Sequence, residues 1–266
     1  NVQLLRRLQA KKKAAQTVPE QEKLVALTAE QQSVISQIEQ NCGPFLLYGS
    51  TGSGKTEVYL HTVAAALAAD PQAQALVLVP EINLTPQLLA RFERRFAPTL
   101  GPQAVASLHS GLTEAQRLKH WLAAHTGQAR IVLGTRMAVL ASLPQLKIIV
   151  VDEEHDSSYK QEDGVYYSAR DMAVLRASIG GAQVVLASAT PSVESWVNAG
   201  LGKYRRLDLR ARYGSAELPE MGTIDLRHED TEKGRWISPR LAAEIRARKE
   251  RGEQSLLFLN RRGYAP

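Results

Sequence analysis

From about residue 24 to about residue 200 the chain alternates short, uniformly apolar runs with longer stretches whose apolar residues recur every three or four positions. The short runs, Phe45 to Tyr48, Ala75 to Val79, Val105 to Leu108, Ile131 to Leu133, Ile148 to Val151 and Val184 to Ala187, predict strands. Several are apolar at every position, as a strand covered on both faces of a parallel sheet requires. The stretches Thr56 to Ala69, Leu84 to Phe96, Thr113 to Ala124 and Ala169 to Ser178 have helical spacing. Such a βα alternation predicts an α/β domain with a mainly parallel, doubly wound sheet. The pattern changes after about residue 200. Lys203, Arg205, Arg206, Arg210 and Arg212 crowd one stretch, irregular chain with Gly and Pro follows, and a helix from Pro239 to Arg251 and an apolar run from Ser255 to Leu259 close the sequence. The reading is therefore a basic helical linker over 1–23, a domain over 24–200, a connector over 201–237 and the start of a second lobe over 238–266.

Composition narrows the class. An apolar content of 44% in 266 residues supports a sizeable core. No apolar run approaches the ~18 residues of a membrane span, and no signal peptide is evident. The first residue is Asn1 and the last, Pro266, follows a strand-like run, which suggests a segment of a longer protein. The single Cys42 excludes an internal disulfide framework and a cysteine-based metal site, in keeping with a reducing cytoplasm. The formal charge of +6 invites a nucleic-acid reading, but Arg6, Arg7, Lys11, Lys12 and Lys13 precede the first acid, Glu20, and leave the remainder almost neutral. Charge alone thus supports a basic arm or a merely solvated tail; any DNA assignment has to come from motifs.

The strongest motif is Gly49-Ser50-Thr51-Gly52-Ser53-Gly54-Lys55-Thr56, a complete phosphate-binding loop between a predicted strand and a predicted helix. Its glycines let successive N–H groups converge on phosphates, and the helix N-terminus adds partial positive charge. Lys55 reaches the terminal phosphates of ATP, and the Thr56 hydroxyl can ligate Mg²⁺. A second half follows in Lys147-Ile148-Ile149-Val150-Val151-Asp152-Glu153-Glu154-His155, an apolar strand ending in acids. Asp152 is placed to hold the Mg²⁺ shell and Glu153 to orient and deprotonate an attacking water. Nucleoside kinases do not need that second acid; hydrolases do. His155 reads as a hydrogen-bonding relay toward Ser188 or Thr190, since no second ligand lies at metal spacing.

Asp152-Glu153-Glu154-His155, with the phosphate loop upstream and Ser188-Ala189-Thr190 downstream, resembles the motif series of the superfamily 2 helicases and translocases. Leu27-Thr28-Ala29-Glu30-Gln31 resembles their adenine-reading segment, which would make Gln31 a nucleotide contact, and Val79-Pro80-Glu81-Ile82 resembles motif Ia. His109-Ser110-Gly111 and Gly134-Thr135-Arg136 resemble the DNA-contacting motifs that follow. The finer match is to the bacterial primosomal replication-restart helicases, through Asp156-Ser157-Ser158-Tyr159-Lys160-Gln161, Tyr167-Ser168-Ala169-Arg170-Asp171, Ser188-Ala189-Thr190-Pro191-Ser192 and Phe258-Leu259-Asn260-Arg261-Arg262-Gly263-Tyr264-Ala265-Pro266. The resemblance implies the RecA-like ATP-binding lobe of a 3′-to-5′ DNA helicase that acts at stalled forks. It implies forked and single-stranded DNA, primosome proteins and single-stranded DNA-binding protein as partners, and a cytoplasmic, nucleoid-associated location. It also places DNA-binding domains before residue 1, and a zinc-binding insertion and the arginine-bearing motif VI after Pro266, so that the ATP site would be half present and this piece alone inactive.

Between Asp156 and Tyr167 the chain holds Tyr159, Tyr166 and Tyr167 with Lys160, although only 6% of its residues are aromatic. Such a loop can stack bases and sense phosphates beside the hydrolytic acid, and in the family this position is an aromatic-rich coupling loop. Tyr159, Lys160 and Tyr167 are accordingly candidate DNA contacts; packing of the tyrosines around the sheet's carboxyl edge is the alternative. Thr135 and Arg136 are candidate phosphate contacts, with helix capping as the alternative for Thr135. Two other function classes compete with this reading. Another superfamily 2 motor, of the restriction or remodelling type, would lack a zinc-binding cysteine array in its second lobe. A nonenzymatic nucleotide-dependent adaptor would leave Lys55, Asp152 and Glu153 together unexplained.

Overall fold

The computed structural model describes residues 26–211, 221–228 and 237–258; the expected linker over 1–23 lies outside them. Two units are present, divided after Ala216. In chain order the first contains α1 (Ala29–Gln40), β1 (Pro44–Gly49), α2 (Lys55–Ala69), β2 (Gln74–Leu78), α3 (Pro86–Leu100), β3 (Val105–Leu108), α4 (Glu114–His125), β4 (Ile131–Gly134) and β5 (Leu146–Asp152). It continues with β6 (Lys160–Gln161), β7 (Tyr167–Ser168), α5 (Ala169–Gly180), β8 (Gln183–Ser188), α6 (Val193–Gly200) and β9 (Arg205–Leu209). Seven strands form one parallel sheet in the order β3-β4-β2-β5-β8-β1-β9.

The apolar runs form strands because both of their faces are buried. Ile148 and Val150 of β5 pack with Tyr59, Leu60 and Val63 of α2 and with Phe92 and Phe96 of α3. Ile149 and Val151, the alternate positions, pack with Ala169, Ala173 and Ala177 of α5 on the opposite face. A third cluster joins Val34, Ile35 and Ile38 of α1 to Phe45 and Leu47 of β1. Helix starts follow local capping chemistry: Thr28, Thr85, Thr113, Ser168 and Ser192 each accept a backbone N–H of the helix they precede.

The structure departs from the sequence expectation in three places. The sheet does not end near residue 200: Arg205–Leu209 pairs with β1 as an edge strand, with Leu207 and Leu209 buried and Arg205 and Arg206 exposed. That alternation suits a half-covered strand, and the stretch therefore belongs to the first unit rather than to a connector. Second, the segment after Asp152 contains a short antiparallel hairpin, with Lys160 paired to Ser168 and Gln161 to Tyr167. Third, Ser255 to Phe258 is not a strand, and Leu256 and Phe258 are exposed. A strand exists only by pairing, and the described residues of the second unit hold no partner strand. That unit contains α7 (Pro239–Glu250), capped by Ser238 with Pro239 in its first turn.

Candidate nucleotide site and its coupling elements

The phosphate loop leaves β1 at Gly49 and enters α2 at Lys55. Gly52 and Gly54 both have φ of 84°, and Gly54 serves as the left-handed N-cap of α2, a conformation that glycine adopts without the Cβ penalty of other residues. A Cβ on Gly54 would lie 2.1 Å from Gln31 Nε2, so the loop and α1 touch directly. Gln31 is 3% exposed. Its Nε2 donates to Ser53 O at 3.1 Å, while its Oε1 accepts the Thr28 N–H at 2.9 Å. The side chain expected to read adenine thus also closes the capping box of α1 and braces the phosphate loop; a primary amide has two donors and two acceptor sites, which leaves capacity for a base edge.

Lys55 Nζ folds back onto its own loop, donating to Gly49 O at 2.8 Å and Ser50 O at 3.3 Å. Burial lowers the Lys55 pKa, against the opposing pull of Glu153 and Asp152. The two acids arrive from β5, with β8 lying between it and β1. Asp152 Oδ2 accepts the Tyr59 hydroxyl of α2 at 3.1 Å. Burial, and Glu153 beside it, push the Asp152 carboxyl up to about 6. Glu153 follows with φ of 46°, the one non-glycine residue with positive φ among the described residues, a backbone state that costs ~1 kcal/mol or more. A cavity of about 370 Å³ is lined by Leu27, Gln31, Thr51, Lys55, Asp152 and Glu153, together with Thr56 and Arg91.

The donor set fits Mg·ATP. The cavity has the size of a small-molecule site, and the buried Ser53 Oγ inside the loop has no hydrogen-bond partner. Lys55 already bonds oxygen atoms, the backbone carbonyls of its own loop, that phosphate oxygens can replace. Mg²⁺ bound with a nucleotide takes hydroxyl, carboxylate, water and phosphate oxygens as ligands, and Thr56 and Asp152, which supply the first two, both line the cavity.

His155 bridges the acidic turn to the loop after β8. Its Nδ1 lies 2.8 Å from Ser188 Oγ and 3.7 Å from Glu153 Oε2, and its Nε2 lies 3.4 Å from Thr190 Oγ1. The structure therefore brings together Glu153, His155, Ser188 and Thr190.

The expected DNA contacts separate into two groups. Tyr159 is 1% exposed, packs in the sheet core and donates its hydroxyl to Asp152 O at 2.6 Å; it has no free face for a base, and its assignment as a stacking residue is corrected. Tyr167 is partly buried against the same core, whereas Lys160 is exposed. The aromatic ring that the hairpin offers to solvent is Tyr166, 78% exposed beside Val165. Thr135 is buried, and its side chain makes no capping hydrogen bond. Arg136 turns its guanidinium to the hairpin, donating to Ser158 O at 3.1 Å and Lys160 O at 2.6 Å.

Several residues of the site escaped sequence reasoning. Tyr59 reads as one more apolar position of α2, and Arg91, ion-paired with Glu57, as a surface charge. Glu154 reads as part of an acidic loop, yet its side chain is fully buried. It accepts from Ser192 N at 2.7 Å, Ser192 Oγ at 3.0 Å, Ser195 Oγ at 2.8 Å and Arg170 Nη1 at 3.4 Å. The signal that could have found it is the serine pair three residues apart at the start of α6, facing the strand that carries the acids.

Convergence of the glycine loop after β1 and the carboxylates ending β5 on one cavity defines the class, a nucleotide-binding lobe of the P-loop type. Within that class the DEAD/DEAH box helicase model matches residues 28–198, and the chain belongs to that family. Among curated proteins, the replication restart protein PriA of Haemophilus influenzae is 44% identical over 92% of this chain and 33% of its own length. PriA of Bacillus subtilis is 41% identical over 90% of this chain and 30% of its own length. The chain thus spans about a third of the length of the curated relatives it matches. The solved structure of the DUF1998 helicase MrfA bound to DNA and AMPPNP covers 70% of this chain, and 27% of that one, with a TM-score of 0.52 and 20% identity, a likeness of fold. The fold is RecA-like. No helix among the described residues is long and apolar enough to cross a membrane.

Proposed function

We propose that this chain is the ATP-binding lobe of a 3′-to-5′ DNA helicase that works in replication restart, with forked and single-stranded DNA as substrate. Identity to PriA across nearly the whole chain supports the process, and the geometry supports the chemistry. The observation that carries the reading is Glu153. It lines the same cavity as Lys55 and Thr56, and through His155 it adjoins Ser188 and Thr190, so a carboxylate able to take a proton from water sits beside a loop able to register strand or lobe movement.

In this reading Gly49, Ser50, Thr51, Gly52, Ser53 and Gly54 present backbone N–H groups to the phosphates, and Lys55 leaves its loop carbonyls for the terminal ones. Thr56 and Asp152 would hold Mg²⁺, which would supply positive charge against the charge that develops on the transferred phosphoryl group. Gln31 keeps the loop in register with α1. Glu153 orients the attacking water and accepts its proton. Arg136 and Lys160 are assigned to the DNA side, together with Tyr167 at the base of the hairpin; Thr135, only 3% exposed, is not a DNA contact. Primosome proteins and single-stranded DNA-binding protein are the proposed partners and the nucleoid the proposed place of action; zinc is assigned to no residue of this chain.

Lys55→Ala and Glu153→Gln in the complete protein test the division of roles. Lys55→Ala removes a cation from the developing charge and should weaken nucleotide binding and lower hydrolysis ~10²-fold or more. Glu153→Gln should keep nucleotide affinity while turnover stops, because an amide cannot accept the proton. Equal loss of affinity in a fluorescent-ATP titration of both variants would refute it.

A further inference from the structure

Glu153 is held by the residues on either side of it, and both of those residues are tied to the base of the same hairpin. On the entry leg, Tyr159 donates its hydroxyl to the backbone carbonyl of Asp152 at 2.6 Å, one residue before the leg becomes β6. On the exit leg, Arg170 lies two residues beyond β7 in the first turn of α5, and its Nη1 meets Glu154 Oε2 at 3.4 Å with both side chains almost wholly buried. Arg170 also donates to Ser192 Oγ at 2.7 Å, whose own hydroxyl donates to Glu154. A second clamp on the Glu154 side is its backbone N–H, which donates to Ala187 O of β8 at 3.1 Å.

The consequences follow from stiffness. Four donors engage the Glu154 carboxylate, one on Oε1 and three on Oε2, and a buried hydrogen-bonded network resists partial opening because each orphaned group costs ~1–3 kcal/mol. The hairpin tip beyond these ties carries Val165 and Tyr166, 79% and 78% exposed. Its free end therefore projects from a base anchored to Asp152 on one side and to Glu154 on the other. Between the two anchors lies Glu153, with φ of 46°, a backbone state that persists only where the surroundings impose it.

Resting on the helicase reading above, we propose that Tyr159 and the Glu154–Arg170 pair are positioning residues: they transmit force on the hairpin to the backbone flanking Glu153 and so set where its carboxylate points. None of the three side chains lines the nucleotide cavity. Glu154 additionally ties the exit leg to Ser192 and Ser195 at the start of α6, so the loop that follows β8 moves with the same turn.

The test uses Tyr159→Phe, which removes one hydroxyl and keeps the ring, and Glu154→Gln, which keeps the shape and removes the charge, both in the complete protein. Steady-state hydrolysis is measured with saturating single-stranded DNA, alongside KM for ATP, DNA affinity and melting temperature. Each variant should lower the DNA-saturated kcat by about tenfold, the kinetic equivalent of one hydrogen bond to the reacting turn. KM for ATP and DNA affinity should stay within about twofold of the parent protein. Arg170→Lys, which keeps a cation near Glu154, should retain more of kcat than Arg170→Met. Loss of stability alone does not discriminate, since the buried network is broken in either case; a merely structural role would move KM for ATP, DNA affinity and kcat together, with no difference between lysine and methionine at 170. If Glu154→Gln fails to fold, Tyr159→Phe decides. DNA-stimulated parent protein with both variants at parental kcat overturns this proposal alone, while a parent protein that DNA does not stimulate overturns the helicase reading with it.

Discussion

Replacing Gln31 by alanine separates two jobs that one amide performs. In the structure the side chain accepts from Thr28 N at 2.9 Å and donates to Ser53 O at 3.1 Å while only 3% exposed. Removing both bonds orphans a half-buried backbone N–H and a buried loop carbonyl, each near the low end of the ~1–3 kcal/mol that such a loss costs. Alanine's better helix propensity returns less than ~0.5 kcal/mol. The expected loss is about 2 kcal/mol, which at ~1–3 kcal/mol per molar urea lowers the denaturation midpoint by about 1 M. The second consequence is functional. Because Gln31 Nε2 is the group against which Gly54 packs, the phosphate loop loosens whatever base the nucleotide carries. Urea denaturation of the 266-residue chain, paired with fluorescent ATP and GTP titrations, reads both effects. Bracing predicts a lower midpoint and affinities that fall by similar factors for the two nucleotides. An unchanged midpoint with loss confined to ATP would show that Gln31 acts as a base reader, and the bracing argument would be wrong.

Gly54→Ala should be more damaging than Gly52→Ala, although both glycines have φ of 84°, because only at Gly54 does the new methyl meet another group, Gln31 Nε2 at 2.1 Å; nucleotide affinity of the two variants, measured side by side, checks this, and equal losses would count against it. Tyr159→Ala should cost ~3–5 kcal/mol of stability as a large buried aromatic, whereas Tyr166→Ala should leave the melting temperature unchanged and, in the complete protein, weaken stimulation of hydrolysis by DNA, base stacking being worth ~1–3 kcal/mol. A destabilised Tyr166→Ala or a stable Tyr159→Ala, each followed by thermal melting, would contradict the burial pattern.

How much of this was legible beforehand depended on the range of the forces involved. The phosphate loop is written in consecutive residues because its geometry is a backbone property: glycine at 52 and 54 permits φ near 84°, and the following Lys55 and Thr56 are carried into place by the helix they start. The central strands were legible for a related reason. A strand covered on both faces must be apolar throughout, so Ile148 to Val151 identifies itself. Edge strand β9 did not, since with one face open it alternates Arg206, Leu207, Asp208 and Leu209 and reads as a charged connector.

Which tyrosine faces solvent was beyond the sequence altogether. Tyr159 and Tyr166 have the same chemistry and belong to the same segment, and only the packing of the hairpin base against the sheet puts one hydroxyl on Asp152 O and leaves the other ring exposed. Glu154 is the clearest case. Between Glu153 and His155 it looks like one more solvated acid, because its partners Arg170, Ser192 and Ser195 lie 16 to 41 residues further on. Local composition can specify a backbone conformation or the side of a strand that is wet. It cannot specify that three residues from the starts of two later helices will converge on a buried carboxylate, because that placement is set by how α5 and α6 cross the sheet, and only the assembled fold brings them there.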